Sequence, residues 1–352
     1  MGFVRFRGVG ITGIAACVPR KVVRNVDCVG LLTPEEIQNM IRTTGIAERR
    51  MAGQDVCSSD LCCEAAQKLL AETGVPKDSI DLLLFLSQTP DYDQPATAPI
   101  LQDRLGLPKS TGSFDLNLAC SGYVYGLCTA FSYASLPDVR RVLLLAGETF
   151  SKTVSPKDRA TCLLFGDAGS ATLIQRQEGN SLSYFSLNSD GSGESVIRIP
   201  AGGYRNQATA DTLRETTYED GSVRSDHHLF MDGIEVFNFT LREVPADVLK
   251  LLRFASLTWE DVDYVVYHQA NKLITDFFAK KLKHPKEKAP LSLHRFGNTG
   301  AVSIPLTMVS EIREALSFRR RKIVLCGFGA GLSWGTAVVE LSGCHLSDLV
   351  EL

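Results

Sequence analysis

The sequence predicts two similar α/β halves, each a parallel sheet with helices between or around its strands, on three observations. Ile80-Asp-Leu-Leu-Leu-Phe-Leu86 and Arg141-Val-Leu-Leu-Leu-Ala-Gly147 are nearly continuous apolar runs, the pattern of strands covered on both faces. Such runs alternate with segments of helical period that carry start and stop signals, as α/β architecture requires. The pattern then repeats. Val75-Pro-Lys-Asp-Ser-Ile-Asp-Leu-Leu-Leu-Phe85 resembles Leu257-Thr-Trp-Glu-Asp-Val-Asp-Tyr-Val-Val-Tyr267, in each case a helix end, a turn and a strand. Ile80 aligns with Val262 at an offset of 182 residues, and Arg141 with Lys322 at 181. Two independent pairs with nearly one offset mark an internal duplication. The halves are read as 1–177 and 178–352, joined within the polar, turn-prone stretch Gln175 to Ser183.

In chain order, Gly10 to Val18 reads as the first strand and Thr33 to Arg42 as a short helix with Pro34 in its first turn, where no N–H is needed. Ser58 or Ser59 is placed to cap a helix through Leu61, Ala65, Ala66, Leu69 and Leu70, ended by Gly74 and Pro76. The strand at 80–86 leads to a Pro-rich loop, Pro90 to Pro99, and a helix through Leu101 and Leu105. Phe114-Asp-Leu-Asn-Leu alternates into a small-residue corner, Ala119-Cys-Ser-Gly122, and a helix-like stretch continues through Tyr125, Leu127, Ala130 and Phe131. After the strand at 141–147 come the loop Thr153 to Arg159 and a strand from Gly169 to Ile174. Asn188 to Ser225 is rich in Gly, Ser, Thr and charge and reads as a surface excursion of the second half.

Composition narrows the function. The chain has 352 residues, 44% hydrophobic and 22% charged, with a net charge of -3, so no global basic field points to nucleic acid. The start, Met1-Gly-Phe-Val-Arg-Phe, fits neither a signal peptide nor a myristoylation motif, and no apolar run approaches membrane-spanning length. A cytoplasmic protein without membrane insertion is the default expectation. Ten cysteines with no C-x-x-C pair argue against a disulfide framework or zinc site. Asp226-His227-His228 has no matching cluster that would make a metal site. Arg319-Arg-Arg-Lys322 is too short, and too close to a buried strand, to argue for nucleic acid.

Three residues stand where chemistry gathers in open α/β sheets, at the ends of strands. Cys120 follows a strand and precedes a helix, where free N–H groups and the dipole favour a thiolate; locally it is either a nucleophile or a buried structural cysteine. His268 follows the apolar Tyr264-Val-Val-Tyr267, and Asn298 sits at a glycine turn entering a helix. Singly, His268 reads first as a hydrogen-bonded structural histidine and Asn298 first as a turn or cap residue.

Together they carry a resemblance. Thr44-Gly-Ile46 with Glu48-Arg49, Ala119-Cys120-Ser-Gly122, Phe165-Gly-Asp-Ala-Gly169, His268-Gln-Ala-Asn271, Gly297-Asn298-Thr-Gly and Gly327-Phe-Gly-Ala-Gly331 with Trp334-Gly335 come in one order across nearly the whole chain. The chain resembles β-ketoacyl-acyl-carrier-protein synthase III of the thiolase superfamily. The resemblance implies a thiolase-like duplicated fold in five layers, αβαβα, as a homodimer, with acyl-CoA and malonyl-acyl-carrier protein as substrates. It implies that Cys120 takes up the acyl group, with backbone N–H groups of Cys120 and Ala330 as oxyanion hole. Neutral His268 and the Asn298 amide would donate hydrogen bonds as malonyl decarboxylates. No metal or cofactor beyond the coenzyme A thioester is implied.

Departures from the family bear on substrate. Asn39 stands where many relatives place a Trp against the coenzyme A adenine, while the partner Arg is matched by Arg159. The loop Thr89 to Pro95 offers Asp91, Asp93 and Gln94 where relatives reach across the dimer with an aliphatic or aromatic residue. It is either a solvated turn or a source of a carboxylate base, the latter shifting the reaction toward non-decarboxylative condensation or hydrolysis. Asn271 completes the substrate-binding set. Lys272, Lys280 and Lys281, running on to Lys283, Lys286 and Lys288, match a basic carrier-protein docking patch or are a solvated face, with Leu273 in place of an expected Arg. The favoured reading is a decarboxylating ketosynthase that starts fatty-acid chains. The alternatives are a condensing enzyme or acyltransferase of a specialised acyl or polyketide pathway, and an inactive partner subunit of a heterodimer.

Overall fold

The computed structural model describes residues 2–28, 30–177, 179, 181–317 and 319–352. The chain opens with β1 (Val4–Arg7) and β2 (Val9–Val18), then β3 (Val22–Arg24), α1 (Pro34–Thr44) and β4 (Glu48–Arg50), which pairs with β3. Thr33 caps α1 reciprocally: its hydroxyl accepts from Glu36 N–H at 3.2 Å, and Glu36 accepts from Thr33 N–H at 2.7 Å. Helix α2 (Ser58–Thr73) has Cys57 at its N-cap, so Ser58 and Ser59 lie inside the helix; Asp60 supplies the cap by accepting from Cys57 N–H at 2.7 Å. Then follow β5 (Leu82–Leu86), α3 (Thr97–Arg104), β6 (Gly112–Leu116), α4 (Gly122–Ala134), β7 (Arg141–Thr149) and β8 (Asp167–Arg176).

The second half repeats the plan from β9 (Leu182–Ser189). The excursion folds into two-residue strands β10 (Ile197–Arg198), β11 (Thr216–Thr217), β12 (Val223–Arg224) and β13 (Phe230–Met231) before α5 (Gly233–Phe254). After it come β14 (Tyr264–Tyr267), α6 (Lys272–Leu282), α7 (Leu293–Phe296), α8 (Ser303–Glu311), α9 (Arg313–Ser317), β15 (Arg321–Gly329), β16 (Ser333–Leu341), β17 (His345–Leu346) and β18 (Val350–Glu351).

One sheet runs β17-β2-β8-β7-β5-β6 with β18 also on β2; the other runs β1-β9-β16-β15-β14. The shared core order β2-β8-β7-β5 against β9-β16-β15-β14 is the duplication in three dimensions. The expectation of parallel sheets is corrected. Only β5, β6 and β7, the pair β14 and β15, and the terminal additions to β2 run parallel; β8 and β16 run antiparallel to their neighbours. Between β15 and β16 lie only residues 330–332, too few for the crossover that a parallel partner needs.

Five layers result. Tyr123, Leu127 and Phe131 of α4 with Ile304 and Met308 of α8 fill the space between the sheets. α2 and α3 cover the outer face of the first sheet through Leu61, Leu69 and Leu101, and α5 and α6 cover that of the second through Val248, Ile274 and Phe278. The unbroken apolar runs are explained here: Val142, Leu144 and Ala146 of β7 face the central layer, whereas Leu143 and Leu145 face α2. The expected join between 177 and 178 touches Glu178, which lies outside the described residues. The termini cross over, β1 pairing with β9 and β17 and β18 with β2. Among the described residues no helix is long and apolar enough to cross a membrane.

Candidate active site

Cys120 sits in the corner between β6 and α4. The helix starts at Gly122 with Ser121 at its N-cap, so the thiol lies before the first turn, not in it. The end of β15 presses on it: a Cβ on Gly329 would stand 2.7 Å from Cys120 Cβ and 3.0 Å from its sulfur. Ser121 Oγ lies 2.6 Å from Ser333 Oγ, and Ser333 in turn donates to the Ala330 carbonyl at 2.7 Å, pinning residue 330 beside the corner. Backbone amides of Cys120 and Ala330 both act on the sulfur. They do not win. Burial, reinforced by the Glu148 carboxylate, pushes the thiol up to about 12. This runs against the thiolate favoured by a helix start, because a thiol only 9% exposed loses more to desolvation than two amides return.

His268 follows β14 and is 2% exposed. Its Nδ1 lies 3.1 Å from the Gly300 carbonyl and 2.8 Å from Ser303 Oγ, whose own hydroxyl donates to the same carbonyl at 2.8 Å. Set to donate to the Gly300 carbonyl, Nδ1 carries the hydrogen and leaves Nε2 a lone pair; set to accept from the Ser303 hydroxyl, it leaves the hydrogen on Nε2. Burial lowers the imidazole to about 4, so the ring is neutral near pH 7. The first tautomer lets Nε2 take a proton; the second lets the neutral ring donate from Nε2, the form that the expected role of His268 requires.

Asn298 is held through its backbone to 164–166, its N–H donating to Leu164 O at 2.9 Å and its carbonyl accepting from Gly166 N–H at 3.1 Å. Its Oδ1 accepts from Gly300 N–H at 3.0 Å, leaving the amide NH₂ as the end it can offer. Gly300 thus supports both side chains. It has φ +58°, and a Cβ there would lie 2.4 Å from the Phe150 ring, so no other residue fits.

Cys120, His268, Asn298 and Ala330 line one pocket of about 740 Å³, counted to its open mouth, whose other walls are apolar apart from Gln88 and Asn271. Some of that wall escaped the sequence reading. Ile197 and Met231 are register partners of β10 and β13, and with Leu229 they bring the excursion over the site. A second cavity shares Gln88, Phe150, Ile197, Leu229 and Ala330 with the first. Beside it Gln88 donates to Asn117 Oδ1 at 3.3 Å. Glu148, behind the pocket, was also missed; only its position at a strand end could have marked it.

The remaining expected residues fall into separate places. Asn271 lines the pocket and caps α6, its Oδ1 accepting from Ile274 N–H at 2.9 Å. Arg159 is engaged with Glu36 at 2.5 Å and the Leu31 carbonyl at 2.8 Å. Asn39 is exposed and accepts from Arg42 at 2.7 Å. Gln94 and Asp93 are exposed, and Asp91 turns away to accept from Ser59 of α2 at 2.8 Å. Lys280 and Lys281 are exposed on α6, whereas Lys272 pairs with Asp276 and Lys288 donates to the carbonyls of Trp259 and Val262. His227 bonds Thr212 and His228 bonds Ser225, and no cluster of metal-ligating side chains occurs among the described residues.

Residues 114–191 match the family described as 3-oxoacyl-[acyl-carrier-protein (ACP)] synthase III, and residues 252–341 its C-terminal counterpart. The β-ketoacyl-[acyl-carrier-protein] synthase III of Desulfitobacterium hafniense (strain Y51) is 37% identical over 335 residues, 95% of this chain and 98% of that protein. A 3-oxoacyl-(acyl-carrier protein) synthase of Burkholderia xenovorans LB400 superposes with a TM-score of 0.94 at 37% identity, covering 100% and 99% of the two chains. The priming β-ketosynthase of the R1128 polyketide pathway superposes at 0.80 with 25% identity, covering 97% and 98%. With this coverage, this fold and Cys120, His268 and Asn298 on one pocket, the chain belongs to the 3-oxoacyl-[acyl-carrier-protein] synthase III family of thiolase-fold condensing enzymes.

Proposed function

We propose that the protein is a decarboxylating condensing acyltransferase. It moves an acyl group from coenzyme A or acyl-carrier protein onto Cys120 and joins it to malonyl-acyl-carrier protein, as in the start of fatty-acid synthesis. The observation that carries this reading is the meeting of Cys120, His268, Asn298 and the Ala330 amide, from four separate segments, on one apolar pocket. In the first half-reaction Nε2 of His268 takes the Cys120 proton and the sulfur attacks the thioester carbonyl. The amides of Cys120 and Ala330 hold the oxyanion, and the leaving thiolate takes the proton from His268, which returns to its neutral form. Neutral His268, donating from Nε2 in its Nε2–H tautomer, and the Asn298 NH₂ then face the malonyl thioester oxygen. Loss of carbon dioxide gives the enolate, which attacks the acyl group. Cys120 leaves as thiolate and takes a proton from water. These steps call for no metal or redox cofactor.

Intact mass after incubation with acyl-CoA is expected to gain the acyl group, and Cys120→Ala is expected to gain nothing. An adduct on the variant, or no carbon dioxide from malonyl thioester with the acylated enzyme, sinks the reading. A condensing enzyme of a specialised acyl or polyketide pathway is the second reading. It is favoured by Asn39 and Arg159, one bonded to Arg42 and the other to Glu36, which offer no aromatic clamp for adenine. An acyl-carrier donor preferred over acyl-CoA would select it. The exposed Lys280 and Lys281 are the proposed docking site for the acidic carrier, and reversing both charges should raise KM for carrier substrates only. The homodimer rests on β6, which ends its sheet with one edge unpaired among the described residues. The proposed place of action is the cytoplasm.

A further inference from the structure

Glu148 takes no part in the steps above, yet it adjoins the supports of all three side chains that do. It lies on β7, 0% exposed, and its carboxyl accepts from Gln88 N–H at 3.1 Å and 3.3 Å and from the Thr89 hydroxyl at 3.0 Å. A Cβ on Gly300 would lie 3.2 Å from Glu148 Cγ, so the carboxyl stem packs directly on the turn that holds His268 by its carbonyl and Asn298 by its N–H. Its charge also acts on the sulfur of Cys120. The titratable groups around it are Asp167 of β8, Cys62 of α2 and Cys120 of the corner, none of them a cation. Asp167 is itself occupied with Ala52 and Ser151, and Lys152 acts on Asp167.

We propose that Glu148 is a positioning residue that functions only while uncharged: as a neutral carboxyl it braces the Gly300 turn and the 87–89 loop, and once ionised it opposes each anion the site forms. Those anions are the Cys120 thiolate, the oxyanion beside it and the enolate at Asn298. A carboxylate buried with no cation raises the energy of all three, because little solvent separates it from them. The neutral form keeps the same shape and the same two donors without that repulsion. Burial is the first cause that holds this carboxyl up, to about 8, with the hydrogen bonds from Gln88 and Thr89 opposing it. Around that pH the brace stays in place and the charge changes.

The proposal rests on Cys120 as the reacting group, and its test uses no thioester, so it stands or falls separately from acyl transfer. Iodoacetamide alkylation of Cys120, followed by peptide mass from about pH 6 to about pH 10, reads thiolate formation directly. In the wild type the rate is expected to rise about tenfold per pH unit and to bend downward where Glu148 ionises. In Glu148→Gln the bend is expected to vanish, with alkylation about tenfold faster than wild type at pH 9, one unit of coupling. Thr89→Val removes a donor to the carboxylate and is expected to move the bend to higher pH. No bend in the wild type, or the same bend in Glu148→Gln, overturns the proposal. If Glu148→Gln does not fold by circular dichroism, an unmoved bend in Thr89→Val overturns it.

Discussion

At Gly329 the strand end leaves no room for a side chain next to the nucleophile, since the nearest atoms of Cys120 would be 2.7 Å and 3.0 Å away. Gly329→Ala is expected to keep the fold by circular dichroism and to slow acylation of Cys120 by about tenfold or more, the usual consequence of displacing a reacting atom. His268 gives a second prediction through pH. Its folded value of about 4 lies below the ordinary 6.5, so the unfolded chain binds a proton more readily. Stability should therefore fall as pH drops below about 6.5 and level off below about 4, a loss on the order of 3 kcal/mol. Urea titrations at pH 7 and pH 4 should find a smaller loss in His268→Gln. Cys120 and His268 were legible because each follows a strand; Asn298 follows α7 through the Gly297 turn, not a strand as expected, and was legible only through its Gly297-Asn298-Thr-Gly motif. Glu148 was not, because its partners at 87–89 lie some 60 positions away and a single Glu ending an apolar strand has no local signature.

Helix α5 shows how one element is locked by chemistry that periodicity does not reveal. Asp247 is buried on it and accepts from Ser186 Oγ at 2.5 Å, Asn188 Nδ2 at 2.9 Å and Thr336 Oγ1 at 2.6 Å, joining the helix to β9 and β16. Asp247→Ala strands the buried Ser186 and Thr336 hydroxyls, while Asn188 keeps Ser186 as an acceptor, and is expected to cost about 3 kcal/mol, read as a lower urea midpoint with the slope unchanged. The apolar runs of β5, β7 and β14 were legible because both of their faces are covered. The direction of β8 and β16 was not, since apolar content carries no sign of strand polarity and only the short 330–332 link decides it. The excursion, read as ending at Ser225, misled for a related reason: Ile197 within it and Met231 beyond it look like isolated apolar residues until β10 pairs with β13.

For the whole molecule, the unpaired edge of β6 and the partly buried Phe114 and Leu116 upon it fit a second copy, and sedimentation equilibrium is expected to give twice 38.4 kDa. The duplication was visible in the sequence as an offset. The exchange of termini was not, because two-residue strands such as β17 and β18 leave no periodic trace. That exchange has a consequence for synthesis. Strand β2 is made more than three hundred residues before β17 and β18, and one of its edges stays open until residues 345–351 arrive, while β1 waits for β9. Over that stretch of synthesis the open edge is a template for wrong pairing, which only the last strands remove.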